Sequence, residues 1–125
     1  MALSAANDYS GGTWINGAQV RARNAAAFGA GTVHVGPGQG SGGQVLFDLI
    51  GAVVTNDFVI SGNGSFWGLV YNRGALWFAH QTTLTGNVHI DRRARVSTTA
   101  DETIGTSSDQ TGTFAGEISG GELQI

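Results

Sequence analysis

Apolar and polar residues alternate along this chain in short runs. Thr13-Trp14-Ile15, Val20-Arg21-Ala22-Arg23, Thr32-Val33-His34-Val35 and Gln44-Val45-Leu46-Phe47-Asp48-Leu49 come first. Residues 57–61, 66–71, 75–80, 88–91, 94–97 and 121–125 continue the pattern. A period of two, in runs bounded by Gly, Asn, Asp or Ser, predicts β-strands. Helical propensity is confined to residues 22–28 (ARNAAAF), where Gly29 cuts it short.

Many short strands fit either an antiparallel sandwich or barrel, or a β-solenoid whose coils stack on one another. Two-residue hairpin signals are scarce, with Asn16-Gly17 and Asn63-Gly64 the best of them. Internal echoes point to the solenoid. VISGNGSFWG from Val59 resembles EISGGELQI from Glu117, and TVHVGPG from Thr32 resembles NVHIDRR from Asn87. The alternation predicts an inward ladder of Val33, Val35, Phe58, Ile60, Leu76, Phe78, Val88, Ile90, Leu123 and Ile125. His34, His89, Asp91, Glu122 and Gln124 would face outward. Coils of about 20 residues, about 4.8 Å apart, would give five or six levels.

Composition agrees with one small β domain. The 125 residues include 21 glycines and one proline, and only 12% are charged. The net charge of −3 and the single basic cluster, Arg92-Arg93-Ala94-Arg95, give no field for nucleic acid. With no cysteine there are no disulfides and no thiolate metal sites. Nothing reaches the length of a membrane-spanning helix, so direct membrane insertion is not expected. Met1-Ala2-Leu3-Ser4 lacks the basic start and apolar stretch of a signal peptide. The chain begins in mid-pattern and reads as a single β-helical segment, residues 1–125, of a longer protein.

Residues with chemical potential are few. His34 and His89 could share an outer face as a metal pair, but no carboxylate or cysteine spacing completes a site, and His34, His80 and His89 are expected as exposed surface histidines. Asp91-Arg92-Arg93-Ala94-Arg95 could hold an anion, although a solvated turn with a local Asp–Arg pair explains it as well. Asp101, Glu102 and Asp109 sit in a Ser/Thr-rich stretch, 97–113, that reads as an exposed loop. Neighbouring carboxylates there are unsuited to paired acid–base work. Residues 36–43 are glycine-rich but lack the Lys-Ser/Thr of a phosphate loop. Trp14, Trp67, Tyr71 and Trp77 are the candidate ligand or partner contacts, with Trp77 expected outward between Leu76 and Phe78. No catalytic set, cofactor site or metal site is predicted.

One stretch carries a resemblance. LSAANDYSGGTWINGAQVRARNAAAFGAGTVHV, residues 3–35, matches a pattern at Leu3, Ser4, Asn7, Tyr9, Ser10, Gly11, Gly12, Thr13, Ile15, Asn16, Ala27, Gly29, Gly31, Val33 and Val35. That pattern resembles the autotransporter-associated β-strand repeat, also called the passenger-associated transport repeat. The chain departs from it at Ala5, where Gly is usual, at Asp8 and Trp14, where Thr is usual, and at Phe28, where Leu is usual.

The resemblance implies a right-handed single-stranded parallel β-helix, in agreement with the general handedness of parallel crossovers. It also implies a passenger segment that is secreted or displayed on the outer surface of a Gram-negative-type bacterium. The role would be structural: a stalk that helps the passenger fold and leave the cell. Its partners would be the neighbouring β-helix coils of the parent or end-to-end copies of itself, with host-surface glycans or proteins as further candidates. The motif residues would be Asn7, Tyr9, Gly11, Gly12, Thr13, Asn16, Gly17, Gly29 and Gly31, with Asn16 stacked in a coil corner. Two other readings stand beside this one. They are a β-helical glycan-binding or polysaccharide-degrading module, and a self-stacking, fibre-forming solenoid unit.

Overall fold

A computed structural model describes residues 1–36, 42–64, 74–98 and 111–125. It contains twelve strands among these residues: β1 (Ala2–Leu3), β2 (Thr13–Ile15), β3 (Gln19–Ala22), β4 (Val33–Val35), β5 (Gln44–Phe47), β6 (Ala52–Val54), β7 (Phe58–Gly62), β8 (Leu76–Phe78), β9 (Thr82–Leu84), β10 (Val88–Ser97), β11 (Gly112–Phe114) and β12 (Ile118–Gln124). No helix occurs among them.

Each of these strand pairings is parallel. One sheet has β2, β4, β7, the first half of β10 and the first half of β12 side by side. A second has β1, β3, β5, β8 and the second half of β10. Because β10 runs through both, they join into one curled nine-stranded sheet. A third sheet is short, in the order β11-β9-β6. The result is an all-β arrangement of parallel strands, compatible with a β-solenoid.

The chain returns to the first sheet at Thr13, Val33, Phe58, Val88 and Ile118, each paired with the next. The spacing therefore grows from 20 to 25 and then 30 residues, where the sequence predicts about 20 throughout. The extra length has two sources. The third sheet adds a strand to the later passes, and the corner between the first two sheets takes a variable number of residues. The third sheet was not legible in the pattern, because AVV, TTL and GTF are three-residue strands with little alternation. Gly112–Phe114 lies partly within the stretch read as a loop.

Residues 22–28 do not form a helix. β3 ends at Ala22, and the Asn24 side chain accepts a hydrogen bond from the Ala26 amide (2.9 Å), making an Asx-type turn that competes with helix nucleation. Gly29 follows at φ +62°, a conformation that stops a helix and is costly for any residue with a Cβ.

The core fills the space between the sheets. Val33, Val35, Phe58, Ile60, Leu76, Phe78, Val88 and Ile90 are all buried, as the alternation predicts. Four aromatic rings thread it: Phe28 meets Phe58 edge-on, Phe58 meets Phe47 edge-on, and Phe47 stacks on Phe78 at 4.9 Å. Burying each such ring contributes about 1.5–3 kcal/mol, so these contacts bind successive passes together. Leu123 is only half-buried and Ile125 is exposed, so the inward ladder fades where no further strand covers it.

Candidate functional site

The predicted motif folds onto itself. The Asn7 amide donates to the Ala26 carbonyl (3.0 Å), and Asn7 Nδ2 donates to the Ala27 carbonyl (2.7 Å). The Ala30 amide donates to the Tyr9 carbonyl and the Thr13 amide to the Thr32 carbonyl, both at 3.0 Å. Tyr9 Oη and Thr13 Oγ1 are 2.7 Å apart. The front half of the motif therefore lies directly against its back half. A Cβ at Gly29 would run into the Tyr9 carbonyl, and one at Gly31 into the Gly12 amide, so this corner needs glycine for close approach as well as for φ. Gly12 and Gly17 take positive φ, while Gly11 is exposed with open space around it.

Asn16 is exposed, against the expectation that it stacks inside a corner. The asparagine in that role is Asn56. It is buried, and its Nδ2 donates to the carbonyls of Gly29 (3.0 Å) and Gly31 (2.8 Å). The same corner continues through Gly86 and Gly116, each of which a Cβ would drive into the carbonyl of the level before, Asn56 and Gly86 respectively. Gln44 is a second buried amide. Its Nε2 donates to the Gly74 carbonyl (2.9 Å), and its Oε1 accepts from Gln19 Nε2 (2.6 Å). Asn56 bonds backbone only, and Gln44 bonds backbone and the Gln19 amide, which removes the desolvation cost of burying them.

Trp14 is 60% exposed on the outer face of β2. Its indole stacks on the His34 imidazole of β4, with centroids 4.7 Å apart and planes 4° apart. A cavity of about 470 Å³ opens beside it, lined by Asn7, Tyr9, Thr13 and Asn16 together with apolar Leu3, Ile15 and Val20. His34 and His89 do lie on one ladder, but Val59 stands between them. Two strand spacings, about 9.5 Å, separate the two positions, which is too far for one ion. His89 Nδ1 instead lies 3.1 Å from Ser119 Oγ. Among the described residues no group of three metal-ligating side chains converges. Trp67 and Tyr71 lie outside the described residues, as do Asp101, Glu102 and Asp109.

Two expectations are corrected. Trp77 leaves the main core as predicted but is buried, packed with Leu46 and Ala79 in a separate cluster on the other face of the sheet. His80 is buried rather than on the surface. Its Nε2 contacts Asp48 Oδ1 at 3.0 Å, while Arg21 Nε and Arg23 Nε approach Asp48 Oδ2 at 3.2 and 3.4 Å. One carboxylate thus gathers two guanidiniums from the pass on one side and an imidazole from the pass on the other. The arrangement orients His80 as a carboxylate orients a catalytic histidine, yet the other ring nitrogen, Nδ1, is buried without a partner. The cluster joins the strands of three adjacent passes. The sequence shows Arg21 and Arg23 on one face of a strand, but only the register brings Asp48 and His80 to them.

The stretch 91–95 is the bend where β10 passes from the first sheet to the second. Arg92 sits at φ +68° there, and Arg93 Nη2 reaches Glu122 Oε2 (3.3 Å) on β12. Compared with protein-family models, curated proteins and solved structures, the chain matches none.

Proposed function

We propose that this chain is a non-enzymatic structural segment of an autotransporter-like passenger. In this reading its parallel sheets are successive turns of a right-handed single-stranded β-helix of five to six coils. The segment forms part of a stalk, secreted or displayed on the outer surface of a Gram-negative-type bacterium, and assists folding of the passenger as it emerges. One observation carries the reading: the two halves of the repeat-like motif, residues 7–13 and 26–32, lie one level apart and bond to each other along their backbones. A unit whose ends dock on adjacent levels can template the next level, so that folding propagates in one direction.

The test is surface display. Residues 1–125 are placed between a secretion signal and an outer-membrane β-barrel, and protease-accessible passenger is measured. Gly29→Val, which puts a branched side chain against the Tyr9 carbonyl, should lower display strongly, and Thr98→Ala should not. Equal display of Gly29→Val and wild type would sink the proposal.

A second reading has an observation of its own. The free face of Trp14 suits the apolar face of a neutral sugar ring, and the largely apolar cavity beside it carries Asn7, Tyr9, Thr13 and Asn16 as polar groups. A glycan array separates the two: binding that disappears in Trp14→Ala favours a glycan-binding module, and no binding favours the stalk.

A further inference from the structure

The third sheet has a feature that the stalk reading does not use. Ala52, Thr82 and Gly112 stand in register across β6, β9 and β11, as do Val53, Thr83 and Thr113. Strand alternation sends Val54 and Leu84 into the core and sends Val53, Thr83 and Thr113 outward as one row. Backbone bonds from the Thr85 amide to the Val54 carbonyl and from the Ala115 amide to the Leu84 carbonyl continue the ladder by one step. They place Thr55, Thr85 and Ala115 in a second outward row, with all three exposed. Gln81 and Thr111 begin a third row on the other side.

The chemistry of this face is unusual in three ways. First, no position in these rows ionises, although the chain carries a net charge of −3; the nearby acids Asp57 and Glu117 lie beyond the rows. Second, five of the positions are threonine, whose branched Cβ holds the hydroxyl and methyl in few rotamers. Third, the rows form a two-dimensional lattice, about 4.8 Å between strands and about 6.6 Å between alternate residues along a strand. Strands of three residues keep each row short, so few positions depart from this spacing. The inward hydroxyl of Thr82 is used within the fold, donating to the Leu49 carbonyl (2.9 Å). The outward hydroxyls of Thr55, Thr83, Thr85 and Thr113 take no such bond among the described residues.

We propose that this face binds ice. A charged ligand would need a counter-charge, which these rows do not offer. A neutral crystalline water surface matches both properties: it presents no charge, and its oxygens repeat in two directions on the scale of these rows. Hydroxyls fixed at regular intervals can join that lattice, while the methyls between them fit its hollows. Rigidity is essential, because each ordered side chain avoids an entropy cost on binding. The proposal is independent of the passenger reading, since it rests on the third sheet alone.

The test uses the whole chain and ice itself. Thermal hysteresis and inhibition of ice recrystallisation are measured for wild type, Thr83→Tyr, Thr113→Lys and Arg93→Ala, with circular-dichroism melts for each. The expected result is crystal shaping and hysteresis in wild type and Arg93→Ala, and loss of both in the two threonine variants at unchanged melting temperature. Wild type that neither shapes crystals nor slows recrystallisation overturns the proposal. So does full activity in both Thr83→Tyr and Thr113→Lys, or loss of activity in Arg93→Ala. Sedimentation that shows a dimer in wild type and a monomer in Thr113→Lys would make the face a contact between copies, which also overturns it.

Discussion

Among the described residues, the Asp48 cluster and the Arg93–Glu122 pair both tie neighbouring passes together, and they differ in everything but their chemistry. At one, Asp48 gathers Arg21, Arg23 and His80 with its own side chain only 10% exposed and that of His80 7%. At the other, Arg93 and Glu122 meet with side chains 61% and 57% exposed. The first is enclosed at Asp48 and His80, where each solves the other's desolvation problem, while Arg21 and Arg23 reach in from a wetter rim at 29% and 53% exposed. The second is washed by water and ions. The difference teaches that a cross-strand ion pair acts as a clamp only where removing one member strands the rest.

The comparison can be broken most directly at its centre. Asp48→Ala leaves two guanidiniums and a buried histidine without their carboxylate; with the arginines partly in water it should cost about 2–3 kcal/mol, below the full buried-pair penalty. A denaturant midpoint unchanged from wild type would show the cluster to be passive. Next in size is a neutral counterpart. Asn56→Ala leaves the carbonyls of Gly29 and Gly31 without their donor and should cost about 1–3 kcal/mol, read in the same titration. If it exceeded Asp48→Ala, the amide corner rather than the charge cluster would be the principal clamp. His80→Leu removes one arm but keeps both arginines on Asp48. It should cost about 1 kcal/mol, and a loss as large as that of Asp48→Ala would place the weight on the imidazole instead. Smallest is Glu122→Ala, at about 0–1 kcal/mol. Whatever difference it makes at low salt should vanish at 1 M NaCl, where the Debye length is about 3 Å. A salt-resistant loss would mean that the exposed pair behaves like the enclosed one.

The inner face of this fold was legible from sequence, because burial follows alternation directly. Val33, Ile60 and Phe78 could be assigned inward from their neighbours alone. The third sheet was not, because strands as short as TTL and GTF carry too few positions to show a period. The residues that join passes were legible only where both halves belonged to one motif, as with Asn7 and Gly29. Asn56 and Asp48 find their partners through register, which depends on how many residues each corner holds. Composition does not encode that number. The same ignorance of register put Trp77 and His80 on the surface, where the structure buries both. Asn16 failed for the opposite reason: its turn was read correctly, but the corner amide belongs to a different level.

One feature has a practical consequence. Between β2 and β3 the chain spends residues 16–18 on the corner from the first sheet to the second, while β10 turns the same corner without leaving the strand. Register on both sides of that corner is kept throughout. The corner thus accepts three residues outside the strands on one level and none on another while pairing on both sides holds, which makes residues 16–18 a grafting point for a foreign peptide.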